Sequence, residues 1–350
     1  MEQIATIGLD IAKSVFQVHG IGKNGSVVIQ RRLRRSQVLS FFSKLSPCVV
    51  GIEACASSHF WAREIGALGH DVRLMPAAYV KPYVKRQKND AADAEAICEA
   101  VTRPTMRFVP VKSPEQQSIM VLHKTRQMVM RQRTKLANTI RAHMAEAGMV
   151  APIGRKGLEL LLEIIRQDED GRLPDASRSC LLMLVDQFSM VKAHILELDR
   201  AIVADVRRNE SAKRLMAIPG VGPLLASAMI SAVPDPAMFK SGRNLAAWIG
   251  LVPRQNSSGG KERLGGITKQ GNRYLRQLLF VGAMAVIRYA ERHGTKRPWL
   301  VRLMAKLGLP ERWTKVRFRR HSRTPYRIRH VRFLFACRNG SGLVGLRSVK

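Results

Sequence analysis

The hydrophobic period of this 350-residue chain changes once, near Ser113, and one layer of structure cannot satisfy both periods. Before that point apolar residues fall in short runs: Ile4 to Leu9, Val15 to Ile21, Val27 to Leu33, Cys48 to Glu53 and Val72 to Met75. The second and third runs are joined by Lys23-Asn24-Gly25-Ser26, so the first three predict an antiparallel meander. The fourth reads as a buried central strand. Helices are expected from Ser36 to Leu45, from Ser58 to Leu68, and from Asn89-Asp90 to Thr102. After Ser113, the expected N-cap of a helix opening at Pro114, Leu122, Val129, Leu136, Ile140 and Met144 form one long stripe. A second stripe from Asp175 to Val206 carries Leu181, Val185, Phe188, Ile195, Leu198 and Ile202. Together they predict an antiparallel helical hairpin or coiled-coil arm. The expected divisions are 1–112, an arm over 113–210, a third unit over 211–305 and a tail over 306–350.

Charge narrows the partners. With 59 Lys and Arg against 26 Asp and Glu, the net charge is +33, which suits a polyanion bound partly through counterion release. From Lys306 onward there are 13 Lys or Arg and one acid, Glu311, with no sustained period. A membrane is the competing polyanion, but no apolar run approaches the roughly 20 residues of a spanning helix. The longest, Leu278 to Ile287, is interrupted by Gly282. The N-terminus does not read as a secretory signal. Five cysteines without a C-x-x-C pair argue against a disulfide framework and a zinc site, and fit a reducing cytoplasm.

An acidic cluster inside a polycation is costly unless it holds cations. Asp10 ends the first strand and Glu53 the fourth, while Asp90 and Asp93, three apart at a helix start, project from one face. Singly, each has a plainer account: a turn former, a surface acid, or helix N-terminal acids favoured by the macrodipole. Jointly they suggest a site, because Glu53 closes the apolar run Val49-Val50-Gly51-Ile52, where a stray carboxylate is out of place. Four such side chains suit two Mg²⁺ ions clamping an in-line displacement at phosphorus. Glu64, Asp71 and Glu95 are the nearest substitutes. The order of strands and helices is that expected of an RNase H-like domain, in which the first and fourth strands are neighbours.

Leu215 to Val233 reads as a helix-hairpin-helix, with Gly220-Val221-Gly222 turning into a second apolar helix at Pro223. Backbone N–H groups in such a turn bind DNA phosphate without reading sequence, although a plain helix connection uses the same residues. Further on, Ser257-Ser258-Gly259-Gly260 taken bare is a flexible loop. Around it stand Arg254, Lys261, Arg263, Lys269, Arg273 and Arg276, suited to a scissile phosphate and its transition-state charge. A serine hydroxyl there can attack phosphorus and form a covalent intermediate once something eases its deprotonation, and His293 is not an obvious base.

In this order, Asp10, Glu53, Lys88-Asn89-Asp90-Ala91-Ala92-Asp93-Ala94, a helical arm, Ile218 to Pro223 (IPGVGP), Leu245 to Lys261 (LAAWIGLVPRQNSSGGK) and Gly266 to Arg276 (GITKQGNRYLR) resemble the DEDD transposases of the IS-one-ten insertion sequences, relatives of the Piv DNA invertases. The resemblance covers about residues 4–305. It implies a RuvC-like N-terminal domain, Mg²⁺ on Asp10, Glu53, Asp90 and Asp93, and a C-terminal transposase domain whose serine joins covalently to DNA. That serine would be Ser258, with Ser257 the fallback, in a composite site across two domains or two subunits. It further implies a structured bridge RNA that pairs with target and donor DNA, a homo-oligomer (dimer or tetramer) and a Holliday-junction intermediate. RNA would lie on the arm, where Lys124, Arg126 and Arg131 are the candidate contacts. The expected setting is a prokaryotic cytoplasm, at the nucleoid. The chain departs from the family after about Met304, where an arginine-rich tail replaces an alanine-rich helix, as in a frameshifted or decayed copy. A RuvC-type junction nuclease using water, and a non-catalytic nucleic-acid-binding protein, are the alternatives.

Overall fold

Five strands form one sheet in the order β3-β2-β1-β4-β5. β1 (Ile4–Ile11), β2 (Val15–Gly22) and β3 (Val27–Arg34) make the antiparallel meander. β4 (Val49–Glu53) lies parallel to β1 on its other side, and β5 (Asp71–Met75) is parallel to β4. The computed structural model describes residues 3–85, 89–167, 171–294 and 298–306. Lys88, the centre of the charged loop after Gln167, and the basic tail beyond Lys306 lie outside the described residues. The chain divides into two units, Met1–Pro114 with Val233–Asp235, and Glu115–Ala232 with the remainder.

In the first unit side chains alternate across the sheet, and each face has its own cover. Ile7, Leu9, Phe16, Val18, Leu33, Val50 and Ile52 pack with Val38 and Phe42 of α1 (Val38–Phe42) and Trp61 and Ile65 of α2 (Ser58–Ala67). The helix expected from Ser36 to Leu45 is reduced to α1, because the N–H groups of Lys44 and Leu45 turn back to the carbonyls of Phe41 and Phe42 and Pro47 follows. After α3 (Ala77–Val80), α4 (Asp90–Val101) lies on the opposite face. Its approach is backbone-close. A Cβ added at Gly8 would sit 2.1 Å from the Ala94 carbonyl oxygen, and one at Gly51 2.8 Å from Val101 Cβ. Ala94, Ala96 and Ala100 are buried beneath the helix, keeping it low.

The second unit begins with α5 (Pro114–Glu146), α6 (Arg155–Gln167) and α7 (Asp175–Arg208). Ile140 and Met144 share a core with Leu181 and Val185, while Arg126 pairs with Asp199, so α5 and α7 run antiparallel. α7 is the one helix among the described residues long and apolar enough to cross a membrane. The sequence reading missed this because single polar residues interrupt its apolar runs. Its stripe of Leu181, Val185, Ile195, Ile202 and Val206 is buried within the unit.

α8 (Glu210–Met216) starts at Asn209, whose side chain accepts from Ala212 N–H at 3.1 Å, and a tight turn leads to α9 (Pro223–Ala232). α10 (Gly242–Ile249), a hairpin of β6 (Pro253–Gln255) and β7 (Leu264–Ile267), α11 (Arg273–His293) and α12 (Pro298–Lys306) follow. Leu225, Ala228, Leu245, Ile249, Leu275 and Leu279 close the core of these elements. Gly282 does not break α11. It marks a backbone crossing: a Cβ there would lie 2.0 Å from the carbonyl oxygen of Gly220, which holds φ +84.

A buried polar chain ties four of these helices together. His123 of α5, fully buried, meets the Tyr274 hydroxyl through Nδ1 at 3.0 Å and Ser227 Oγ through Nε2 at 3.1 Å. Ser227 donates to Asp205 Oδ2 at 3.3 Å. Since Ser227 spends its only proton on Asp205, it must accept from His123 Nε2–H, which leaves Nδ1 to accept from Tyr274. Burial, then the Arg126 charge, pushes the His123 pKa down to about 4, so the ring is neutral at pH 7.

Two outcomes follow. Gly8→Ala costs about 3 kcal/mol of stability by overpacking against backbone, whereas Gly66→Ala, in α2 with nothing within 4 Å of the added carbon, is neutral or slightly stabilising. Urea unfolding midpoints measure both. Because the folded pKa of His123 lies below its ordinary value of 6.5, its contribution is intact above that pH and fades as pH falls toward about 4. At about pH 5 the loss is about 2 kcal/mol. Chemical denaturation at about pH 7 and about pH 5 should show it in the native chain and a clearly smaller loss in His123→Gln.

Candidate active site

Adjacent parallel strands bring the first two carboxylates together. Leu9 lies opposite Ile52, so Asp10 and Glu53 leave β1 and β4 side by side. α4 begins over the same end, its N-terminus capped by the Asn89 side chain accepting from Ala92 N–H at 2.7 Å. Asp90 and Asp93 occupy its first turn. Burial first, and then the charges of Asp93, Asp90 and Glu53 in that order of effect, push the Asp10 pKa up to about 6. The four carboxylates therefore share one electrostatic neighbourhood. Among the described residues, no three acidic, histidine or cysteine side chains stand at the spacing of one ion's ligand shell. As a donor set, four carboxylates with hard oxygens fit Mg²⁺ better than any softer metal. Two of the substitutes are otherwise engaged: Glu95 pairs with Lys85 at 2.5 Å and Asp71 with Arg73 at 2.7 Å.

The Ser-Ser-Gly-Gly segment forms the closure of the β6–β7 hairpin. Gly259 and Gly260 hold φ +56 and +75, and Lys261 N–H donates to the Ser258 carbonyl at 3.1 Å. Positive φ at both central residues is the pattern of a type I′ turn, whose twist matches that of paired strands, and Gly-Gly adopts it without steric cost. Asn256 N–H bonds the Arg263 carbonyl at 2.8 Å, and Ser257 Oγ accepts from Arg263 N–H at 3.2 Å. Ser257 thus braces the hairpin. Ser258 is exposed at its tip, and its hydroxyl makes no hydrogen bond among the described residues.

Around this hairpin Arg254, Lys261, Arg263, Lys269 and Arg273 are exposed. Arg276 is not available in the expected way, because its Nη1 donates to the carbonyls of Ile249, Gln270 and Gly271 at 2.7, 2.7 and 3.2 Å. It clamps the end of α10 to the loop before α11. Sequence reading missed the interlock beneath it: a Cβ at Gly250 would fall 1.8 Å from Gln270 O, and one at Gly271 1.9 Å from Trp248 O. The signal was the glycine in each motif, Trp248-Ile249-Gly250 and Gln270-Gly271-Asn272. Lys269 holds φ +57, alone among the described non-glycine residues in that region, and its N–H bonds the Gly250 carbonyl at 3.1 Å. Asn272, also missed, caps α11 by accepting from Tyr274 and Leu275 N–H at 2.9 and 3.2 Å.

In the turn before α9, Gly220 packs its Cα against Gly282, while Gly222 is exposed. One further expectation is corrected. On the arm, Lys124 and Arg131 are exposed, but the Arg126 side chain is only 15% exposed and paired to Asp199. A half-buried ion pair keeps Arg126 from answering a polyanion.

The family described as "Transposase IS116/IS110/IS902 family" matches residues 212–297, and the DEDD transposase of IS110 type matches residues 7–149. A probable family 20 transposase of Pseudomonas aeruginosa is 47% identical over 305 residues, covering 87% of this chain and 90% of that one. The transposase for insertion sequence element IS1111A of Coxiella burnetii is 39% identical over 310 residues, 88% of this chain and 85% of its own. That for element IS1328 of Yersinia enterocolitica is 37% identical over 279 residues, 80% and 83% of the two chains. With the carboxylates at one sheet end and the serine hairpin in the second matched stretch, the chain belongs to the IS110/IS116 family of insertion-sequence transposases.

Proposed function

We propose that this chain cleaves and rejoins DNA strands to move its own insertion sequence, using a Mg²⁺-binding quartet of Asp10, Glu53, Asp90 and Asp93 and Ser258 as nucleophile. The observation that carries the reading is the gathering of Glu53, Asp90 and Asp93 around Asp10 at one end of the sheet. The strand order, with β1 between an antiparallel hairpin and two parallel strands, supports an RNase H-like, RuvC-like domain. When bound, the metal supplies Lewis acidity at the phosphoryl oxygens. The unbonded hydroxyl at the hairpin tip supports Ser258 over Ser257. Ser258 Oγ forms a bond to phosphorus as the bond to the leaving sugar oxygen breaks; the serine proton goes to solvent and the leaving oxygen takes one up. One phosphodiester replaces another, so attack by a second strand end restores the serine without an external energy source. The exposed cations Arg254, Lys261, Arg263, Lys269 and Arg273 neutralise the phosphate, and Gly222 N–H offers a further contact.

The same reading includes a guide RNA and a homo-oligomer. α5 presents an open groove of about 490 Å³ lined by Arg131, Thr134, Lys135, Asn138, Thr139 and Ala142, and its two cations support an RNA backbone there. Val121 and Met128 of α5 and Met183 and Met190 of α7 are about half exposed, which supports burial against another copy. A bacterial cytoplasm is the setting these partners require.

Ser258→Ala should abolish the covalent protein–DNA adduct, seen as a band resistant to denaturant, and lower recombination at least about 100-fold. Asp10→Asn should remove all strand cleavage. Continued cutting by Ser258→Ala would identify water as the nucleophile, and full activity of Asp10→Asn would remove the quartet from the chemistry. Neutralising Lys124 and Arg131 should lower the salt slope of RNA binding by about 2, one for each phosphate no longer neutralised.

A further inference from the structure

Between Asp10 and Glu53 the chain carries seven Lys or Arg and not one Asp or Glu. Four of these cations, Arg31, Arg32, Arg34 and Arg35, lie on or just after β3, the edge strand of the sheet. Register decides which of them share a face with the carboxylates. Asp10 stands opposite Gln17, and Gln17 opposite Arg32. Because partners across a ladder point the same way, Asp10, Gln17 and Arg32 form one transverse row, and Glu53 extends it on the far side. This is the face under α4. Gly8 contacts α4, His19 lies opposite Gly8, and His19 Nδ1 meets Gln30 Nε2 at 3.3 Å on β3. Two residues beyond Gln30 along the same face comes Arg32, and then Arg34.

Among the described residues no ion pair holds Arg31, Arg32 or Arg34, and all three are exposed. Guarding an edge strand against unwanted pairing requires charge on either face of β3. It does not require a stretch of 42 residues, from 11 to 52, without a single acid. Strand spacing puts the Arg32 backbone about 10 Å from that of Asp10, roughly three nucleotide steps at about 3.4 Å of rise each. The arginine side chain shortens that distance.

We propose that Gln17 and Arg32, continued by Arg34, form a phosphate-binding ledge that holds the DNA strand being cut as it leaves the carboxylates toward β3. Arg32 grips a backbone phosphate, and Gln17 offers a neutral donor between the repelling carboxylates and the first cation. The ledge is a positioning element. It rests on the strand-cleavage reading, but its test is a binding measurement and can fail or succeed apart from that reading.

The experiment uses the full chain carrying Ser258→Ala, without added divalent ion, and a fluorescein-labelled single-stranded DNA oligonucleotide followed by anisotropy across a salt series. Arg32→Gln should weaken binding roughly three- to tenfold at about 0.1 M salt and reduce the salt slope by about 1. Arg31→Gln is the control, since it removes the same charge from the other face of the same strand. Its affinity and slope should stay near those of the parent. Equal losses in both variants would mean diffuse attraction by a basic protein, and an unchanged Arg32→Gln would remove the ledge; either overturns the proposal. A greater loss for an RNA oligonucleotide of the same sequence than for DNA would assign the ledge to RNA and overturn it as well. Thermal melts matching the parent exclude misfolding. The separate cleavage assay on Asp10→Asn reports on the catalytic reading alone.

Discussion

The approach of α4 to the sheet is the contact on which the gathering of the carboxylates depends. A helix usually stands off a sheet by the length of the side chains between them, and here two glycines remove that length. Gly8 receives the helix at Ala94 and Cys98, and Gly51 receives it at Val101. Lowered in this way, the helix starts beside the ends of β1 and β4, and Asp90 and Asp93 come within electrostatic range of Asp10. The alanines of α4 matter for the same reason, because a larger residue would lift the helix and carry the acids away from their partners.

Charge works against this arrangement and for its use. Three like charges around a half-buried carboxylate are unfavourable, and together with burial they raise the pKa of Asp10. Three cations of this unit are held by other acids. Lys85 goes to Glu95, Arg73 to Asp71 and Arg103 to Glu99. The result is a negative point set in a positive field, which suits a cation at the centre and a polyanion around it.

Much of the fold was legible because period 2 and period 3.6 leave different marks. The meander and the two long antiparallel helices follow from apolar spacing and turn residues, whereas the placing of β4 beside β1 was expected from the RNase H-like order of elements. Asp10 and Glu53 were legible as strand-terminal acids. What could not be read was contact made by residues whose type says little. Arg126 and Arg276 look like any other cations until Asp199 and three carbonyls claim them. His123 falls beside the apolar stripe of α5 yet is fully buried, because Tyr274 and Ser227 satisfy its ring from distant parts of the chain. The Ser-Ser-Gly-Gly segment reads as a linker by composition, and only strand pairing on either side makes it a hairpin turn.

The crossing of Gly220 and Gly282 leaves the bend between α8 and α9 in direct main-chain contact with the middle of α11. A joint of this kind has no side-chain cushion to absorb displacement. Any shift of the bend therefore bears directly on α11, whose first turn follows the β6–β7 hairpin after a short loop, so neither segment can move far without the other.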